Sequence, residues 1–257
     1  MNTAIVDSKY ALSQPLLGDQ MEFGDHFFAH SFHHGESDVS MKPLLMFDHF
    51  WMKRDTFGWH PHKGISAVTY LFEDSKNAHH NSDSMGNNLP ITPGSLHWMV
   101  AGAGAQHWER PEGPDALVHG LQFFVDLPAQ SKSVAPYAIH LESRDVPEVT
   151  EAGARIRVVA GEFACIKSPV ALPQPYSLYD VHLPENGTLS LPLPANWGAW
   201  LYVVRGAATV GVEDDVRFLT QYQAVGLQTD AASQTVSIQT NRSAQLVVLA
   251  GENVPAR

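Results

Sequence analysis

Glycine and proline interrupt this chain so often that long helices have little room to form. There are 19 Gly and 17 Pro in 257 residues. Between them lie runs of five to ten residues rich in Val, Leu, Tyr and Phe: Ala67–Phe72, Leu96–Val100, Ala116–Val125, Arg155–Ala160, Leu178–Leu183, Ala199–Val204, Thr235–Gln239 and Gln245–Leu249. Short β-rich runs separated by turn residues predict an all-β sandwich or barrel. Only residues 213–224 suggest a turn of helix. The segment Asp126–Glu151 is polar and proline-bearing and reads as a connector. A boundary near residue 135 divides the chain into two β domains, 1–135 and 136–257, each long enough for its own core. No short fixed-period repeat is present, which excludes a solenoid.

Charge and composition narrow the function. Net charge is −11 and the isoelectric point about 5.6. Without a run of Lys and Arg, such a surface repels phosphate backbones, so direct nucleic-acid binding is not expected. No apolar run approaches the roughly 20 residues of a membrane span, and the N-terminus lacks the pattern of a signal peptide. The cytoplasm is therefore the expected location. Cys165 stands alone, excludes an intramolecular disulfide and is expected to be an inert buried thiol. The 14 histidines are unevenly spread, twelve of them between His26 and His119.

Two pairs among those histidines carry chemistry. In Gly58-Trp59-His60-Pro61-His62-Lys63-Gly64, the two imidazoles lie two residues apart. An extended backbone then points both to one face. Pro61 has no N–H for a ladder and suits a strand start or edge. In Gly102-Ala103-Gly104-Ala105-Gln106-His107-Trp108-Glu109, the imidazole of His107 and the carboxylate of Glu109 share a face for the same reason. Either pair alone would read as incidental polar residues at a turn; two in one small β domain support each other. Three imidazoles and a carboxylate suit Fe(II), Mn, Ni, Cu or Zn. On an octahedral ion they leave two positions open. Among the remaining candidates, His119 alternates with Leu117, Leu121, Phe123 and Val125 and reads as an inward, hydrogen-bonded core histidine. Asp48 and His49 either orient the metal site or serve the fold. Trp98, Met99 and Trp108 are expected to pack the barrel and line the cavity mouth, and His33-His34 and His79-His80 to lie in loops. No phosphate-binding glycine motif and no supportable Ser/His/Asp set is present.

Several strings resemble the pirin family of the cupin superfamily, in the family's order: PLLMFDHF (Pro43–Phe50), HPHKG (His60–Gly64), AVTYLFE (Ala67–Glu73), DSMGN (Asp83–Asn87), PGSLHWMVAGAGAQHWE (Pro93–Glu109) and HGLQFFVDLP (His119–Pro128). Ile156–Glu162, Ser168–Val170 and Tyr179–Leu183 extend the likeness to about residue 210, while the first 40 residues match poorly. The resemblance implies a bicupin, two jelly-roll barrels in one chain, with one metal in the first barrel on His60, His62, His107 and Glu109. It implies iron, a second barrel that has lost its ligands, and two alternative functions. One is Fe(II)-dependent ring-opening dioxygenation of the quercetin 2,3-dioxygenase type on a small-molecule substrate, with Glu109 as the base. The other is a non-enzymatic, redox-sensing regulator with protein partners. The chain departs from the family pattern at Ser66, where Glu is usual, at His97, where Gln is usual, and at Ala103, where Arg is usual.

Overall fold

The computed structural model describes residues 10–253. Among these the chain is β almost throughout, relieved only by two three-residue 3-10 turns, Ala129–Ser131 and Ser143–Asp145. All eight expected runs are strands: Ile65–Leu71, Leu96–Val100, Val118–Asp126, Ala154–Ala160, Tyr176–Leu183, Trp197–Arg205, Gln234–Gln239 and Ala244–Glu252. The helical turn expected over 213–224 is absent. Asp215–Thr220 is instead a strand paired antiparallel with Ala207–Val212, and Val212 faces Asp215 across a two-residue turn. Glu213 takes the positive φ of 53° that such a hairpin turn requires.

The strands build two sandwiches. In the first, a seven-stranded sheet runs Tyr137–Leu141, Leu96–Val100, Ile65–Leu71, Val118–Asp126, Leu44–Met52, Phe27–His33 and Asp19–Phe23. A four-stranded sheet, His60–His62, Ala105–Pro111, His79–Asp83 and Asn88–Ile91, covers it. The second sandwich has a large sheet built on Gln223–Thr229, Trp197–Arg205, Ala244–Glu252, Tyr176–Leu183, Ala154–Ala160 and Glu148–Glu151. Its four-stranded sheet is Thr188–Leu193, Gln234–Gln239, Ala207–Val212 and Asp215–Thr220. Strands are exchanged between the halves. Tyr10–Leu12 and Leu16–Leu17 pair with Gln223–Thr229 in the second sandwich, and Tyr137–Leu141 pairs with Leu96–Val100 in the first. Cys165 sits with Ala164 at the tip of the Glu162–Lys167 hairpin, both at positive φ. It is exposed, not the buried thiol expected, because the hairpin tip projects it to solvent.

Alternation sorts each large sheet into two faces. Val68, Tyr70, Leu96, Trp98, Leu121 and Phe123 of the first pack against Tyr176, Leu178, Trp200, Tyr202 and Leu249 of the second. The barrels are thus joined through the outer faces of their large sheets. Trp98 belongs to this interface rather than to a cavity mouth. The inner faces differ. The second barrel is filled with aliphatic side chains, among them Ile156, Val158, Val181, Leu201, Val210 and Val236. The first buries Thr69, His79, Asn81, Asp83, His97, His107 and Glu109.

A polar network pins the interface. Arg157, only 1% exposed, donates to the Tyr70 hydroxyl at 2.7 Å and to the Gly94 carbonyl at 3.1 Å. Tyr70 donates in turn to Asp180 Oδ2 at 2.9 Å, and Gln245 donates to Asp180 Oδ1 at 2.9 Å. Tyr70→Phe keeps the ring but leaves Asp180 Oδ2 without its donor. We expect a loss of about 1–3 kcal/mol of unfolding free energy, read by urea titration, as for a buried group left unpaired. An unchanged midpoint would show that the network adds nothing to stability.

Candidate metal centre

His60–His62 is the edge strand of the small sheet, so the missing N–H of Pro61 breaks no ladder. It pairs antiparallel with Ala105–Pro111, His107 facing His60 and Ala105 facing His62. Two glycine turns lock this pairing. The Gly64 N–H donates to the Gly102 carbonyl at 2.9 Å, and both residues have positive φ, 72° and 49°. A Cβ on Gly102 would lie 2.3 Å from the Val134 carbonyl oxygen, so no larger residue fits there.

The pairing brings three ring nitrogens together. His107 Nε2 lies 3.0 Å from His60 Nε2 and 3.1 Å from His62 Nε2. One imidazole nitrogen has a single hydrogen or a single lone pair, so it cannot make two such contacts as ordinary hydrogen bonds. A shared cation satisfies all three, and a spacing of about 3 Å is that of adjacent ligands each about 2.1 Å from one ion. His60 Nδ1 donates to the Gly58 carbonyl at 3.0 Å, which leaves its Nε2 lone pair free for a metal. Burial, with the neighbouring imidazoles adding, pushes His62 and His107 down to about 3. Both are neutral at pH 7, as ligation requires. The residues therefore fit the metal that the motif implies.

Glu109 lies beside this set rather than within it. The compact group comprises His60, His62 and His107. The Glu109 carboxylate is 8% exposed and accepts from the Thr69 hydroxyl at 2.8 and 2.9 Å. Gln122 Oε1 lies 2.7 Å from the same hydroxyl, and His79 Nε2 lies 3.9 Å from Glu109 Oε2. A cavity of about 220 Å3 opens on the imidazoles, walled by Phe27, Met46, Phe50, Met52, Phe57 and Phe124, with Asp48, His79, Glu109 and Gln122 as its polar lining.

The loop expected for His33 and His80 is a strand at each, Phe27–His33 and His79–Asp83, and the same holds for His79. It is a buried strand residue on this cavity, because His79, Asn81 and Asp83 alternate inward along His79–Asp83. That period-two pattern was the signal available. Thr69 and Gln122 carried none, being ordinary polar residues within apolar strands. His97 is buried with neither ring nitrogen partnered, and burial holds it down to about 4. His119 is hydrogen-bonded as expected, to His49 and Asp74, but it faces the second barrel rather than the interior of the first. Asp48 faces the metal cavity, while its neighbour His49 faces away from it.

Sequence comparison accords with this geometry. Residues 11–125 match the family model for pirin, and residues 178–257 match that for the pirin C-terminal cupin domain. The chain belongs to the pirin family. The two matched segments begin at residue 11 and end at residue 257, further in each direction than the strings quoted above reached. Mouse pirin is 34% identical over 214 residues, covering 83% of this chain and 72% of its own. A Pseudomonas aeruginosa relative, whose name gives it provisionally as a quercetin 2,3-dioxygenase, is 31% identical over 232 residues, covering 85% and 78%. Among solved structures, GK1651 of Geobacillus kaustophilus superposes with a TM-score of 0.86 at 26% identity, covering 96% and 98%. Pirin-family and bicupin architecture are thus established for this chain.

Two outcomes test the centre. His107→Ala should reduce metal in the purified protein from about one ion per chain to near background, measured by elemental analysis, because it removes the nitrogen shared by both contacts. Full occupancy in this variant would place the metal elsewhere. The second test concerns the metal-free protein. The folded-state values of His62 and His107 lie below the ordinary 6.5, so between those limits the unfolded chain takes up protons that the folded chain refuses. Stability from this source is complete above about pH 6.5 and is lost as pH falls toward 3. The apoprotein should melt at lower temperature at pH 5 than at pH 7, and His62→Asn with His107→Asn should flatten that dependence. A dependence unchanged in the double variant would assign acid sensitivity to other groups.

Proposed function

We propose that the protein is a metal-dependent dioxygenase of the quercetin 2,3-dioxygenase type, acting on a small aromatic or enol substrate. In this reading iron(II) is held by His60, His62 and His107, with Glu109 as the fourth ligand. The observation that carries it is the cavity. An aromatic and methionine-walled space opens directly on the imidazoles and on the Glu109 carboxylate, the arrangement expected of a small-molecule site. The provisional name of the Pseudomonas aeruginosa relative supplies the reaction class. The bound metal would supply Lewis acidity and electron exchange with oxygen.

The chain's own residues do the rest. Phe50, Phe57 and Phe124 take up the apolar body of the substrate and keep water from it. Glu109 accepts the proton of the substrate hydroxyl at a carboxylate oxygen, and Thr69 holds that carboxylate on the cavity wall. A second reading, a redox-responsive regulator, has one observation in its favour: Phe57 and Trp59 beside the site are about half exposed and would suit a protein partner.

Glu109→Gln keeps the size of the side chain and removes its basicity. The variant should retain metal and lose oxygen uptake with a flavonol by about 100-fold or more, the lower range for loss of a general base. Full turnover in that variant would exclude the base role. If iron-loaded wild-type protein takes up no oxygen with any flavonol in a panel, the dioxygenase reading fails and the regulator reading replaces it.

A further inference from the structure

The strand Leu44–Met52 is a wall between two cavities. Asp48, Phe50 and Met52 face the metal cavity. His49 and Trp51 face the other way, into a cavity of about 250 Å3 between the two barrels. A space of about 150 Å3 accommodates a benzene ring, so this one has room for a ring and a polar group.

One side of this cavity is held rigid by a hydrogen-bond chain. Asp74 can only accept, so His119 Nδ1 donates to it at 2.6 Å. His119 Nε2 is hydrogen-bonded to His49 Nε2 at 2.7 Å, and His49 Nδ1 to the Tyr202 hydroxyl at 2.6 Å. The chain crosses from the first barrel to the second. The rings of Trp51 and His119 are stacked with centroids 4.9 Å apart, and Tyr222 stands edge-on to Trp51 at 6.0 Å. Tyr222 has φ 69°, a conformation that a bulky side chain adopts only where its surroundings impose it.

Each barrel adds a cation, Lys76 from the first and Arg205 from the second. Arg205 gives Asp74 Oδ2 a hydrogen bond of 2.7 Å, and Lys76 gives the Asp115 carbonyl one of 3.3 Å. A guanidinium has five N–H donors and an ammonium three, so both keep donors to spare. Lys76 and Arg205 against Asp74 leave the lining with a net charge of +1, on a chain whose net charge is −11. A cationic, ring-walled cavity on an acidic protein selects for an anion with a flat apolar body.

We propose that this cavity is a second ligand site, for a small carboxylate of one aromatic ring. The ring would lie against Trp51 and Tyr222, and the carboxylate on Arg205 and Lys76. Benzoate titrated into the metal-loaded full chain, followed by calorimetry and by ligand-observed NMR, tests it. Saturable binding at one site per chain is expected. Arg205→Ala and Lys76→Ala should each weaken it about tenfold, the loss of one charge-assisted hydrogen bond. His107→Ala should leave it unchanged. Lys76 is exposed and bonds only a loop carbonyl, so its variant keeps the test valid if Arg205→Ala loosens the barrels. Absence of saturable binding overturns the proposal. So does binding that His107→Ala abolishes while both cation variants keep it, since the ligand then sits at the metal. Displacement by equimolar inorganic phosphate would overturn the requirement for a ring.

Discussion

The back-to-back contact of the two large sheets is the constraint on which the rest of the molecule depends. It commits one face of each sheet to the partner barrel, where Trp98, Phe123, Trp200 and Tyr202 pack. Apolar burial there is non-directional and would tolerate sliding. The buried Arg157, Tyr70 and Asp180 do not, since a shift would strand a guanidinium and a carboxylate away from water. The interface thereby fixes how the barrels sit, and with it the space that His49, His119 and Tyr202 share between them.

With the outer faces committed, the inner faces were free to diverge. In the second barrel they carry a mainly aliphatic core, and no group of ligating side chains lies within it among the described residues. In the first they carry imidazoles, carboxylates and amides that apolar packing cannot satisfy. Both ring nitrogens of His97 and the Nδ1 atoms of His79 and His107 have no protein partner. Buried polar atoms left this way cost stability, so the interior of the first barrel is less favourably packed than that of the second.

The sequence revealed more about the ligands than about their surroundings, for a physical reason. His60, His62 and His107 announce themselves because a two-residue spacing in a β context dictates a shared face, and the cross-strand register then joins the pairs. The strands were legible from the same periodicity. Besides His79, three expectations failed where tertiary context decides. The short run Asp215–Thr220 became an edge strand because a two-residue turn returned it alongside Ala207–Val212. Cys165 was carried outward by a hairpin tip. Trp98, read as cavity lining, faces the other barrel, since a sequence does not state which face of a strand meets which neighbour. Strand exchange at Tyr10–Leu12 and Tyr137–Leu141 is a further case, because pairing of Tyr10 with Thr229 and of Leu141 with Leu96 is non-local and leaves no local mark.

The place of Glu109 follows from counting hydrogens. The Thr69 hydroxyl has one to give, and two acceptors compete for it, the Glu109 carboxylate and Gln122 Oε1 at 2.7 Å. If Glu109 turns toward the imidazoles, Gln122 takes the hydrogen and no buried donor is left unpaired. If Glu109 turns back, Thr69 is ready to receive it. A carboxylate with one satisfied position on the wall, and a neighbour that removes the penalty for leaving it, moves at lower cost than one anchored by a donor with no second acceptor. Low cost of movement is what a residue needs if it is to hold a metal at one stage and take a proton at another. The three imidazoles have no such alternative: they are set by backbone pairing, by the Gly58 carbonyl and by two glycine turns. The candidate centre therefore divides into a nitrogen face set by the backbone and a carboxylate that rests beside it on Thr69, with Gln122 as the competing acceptor.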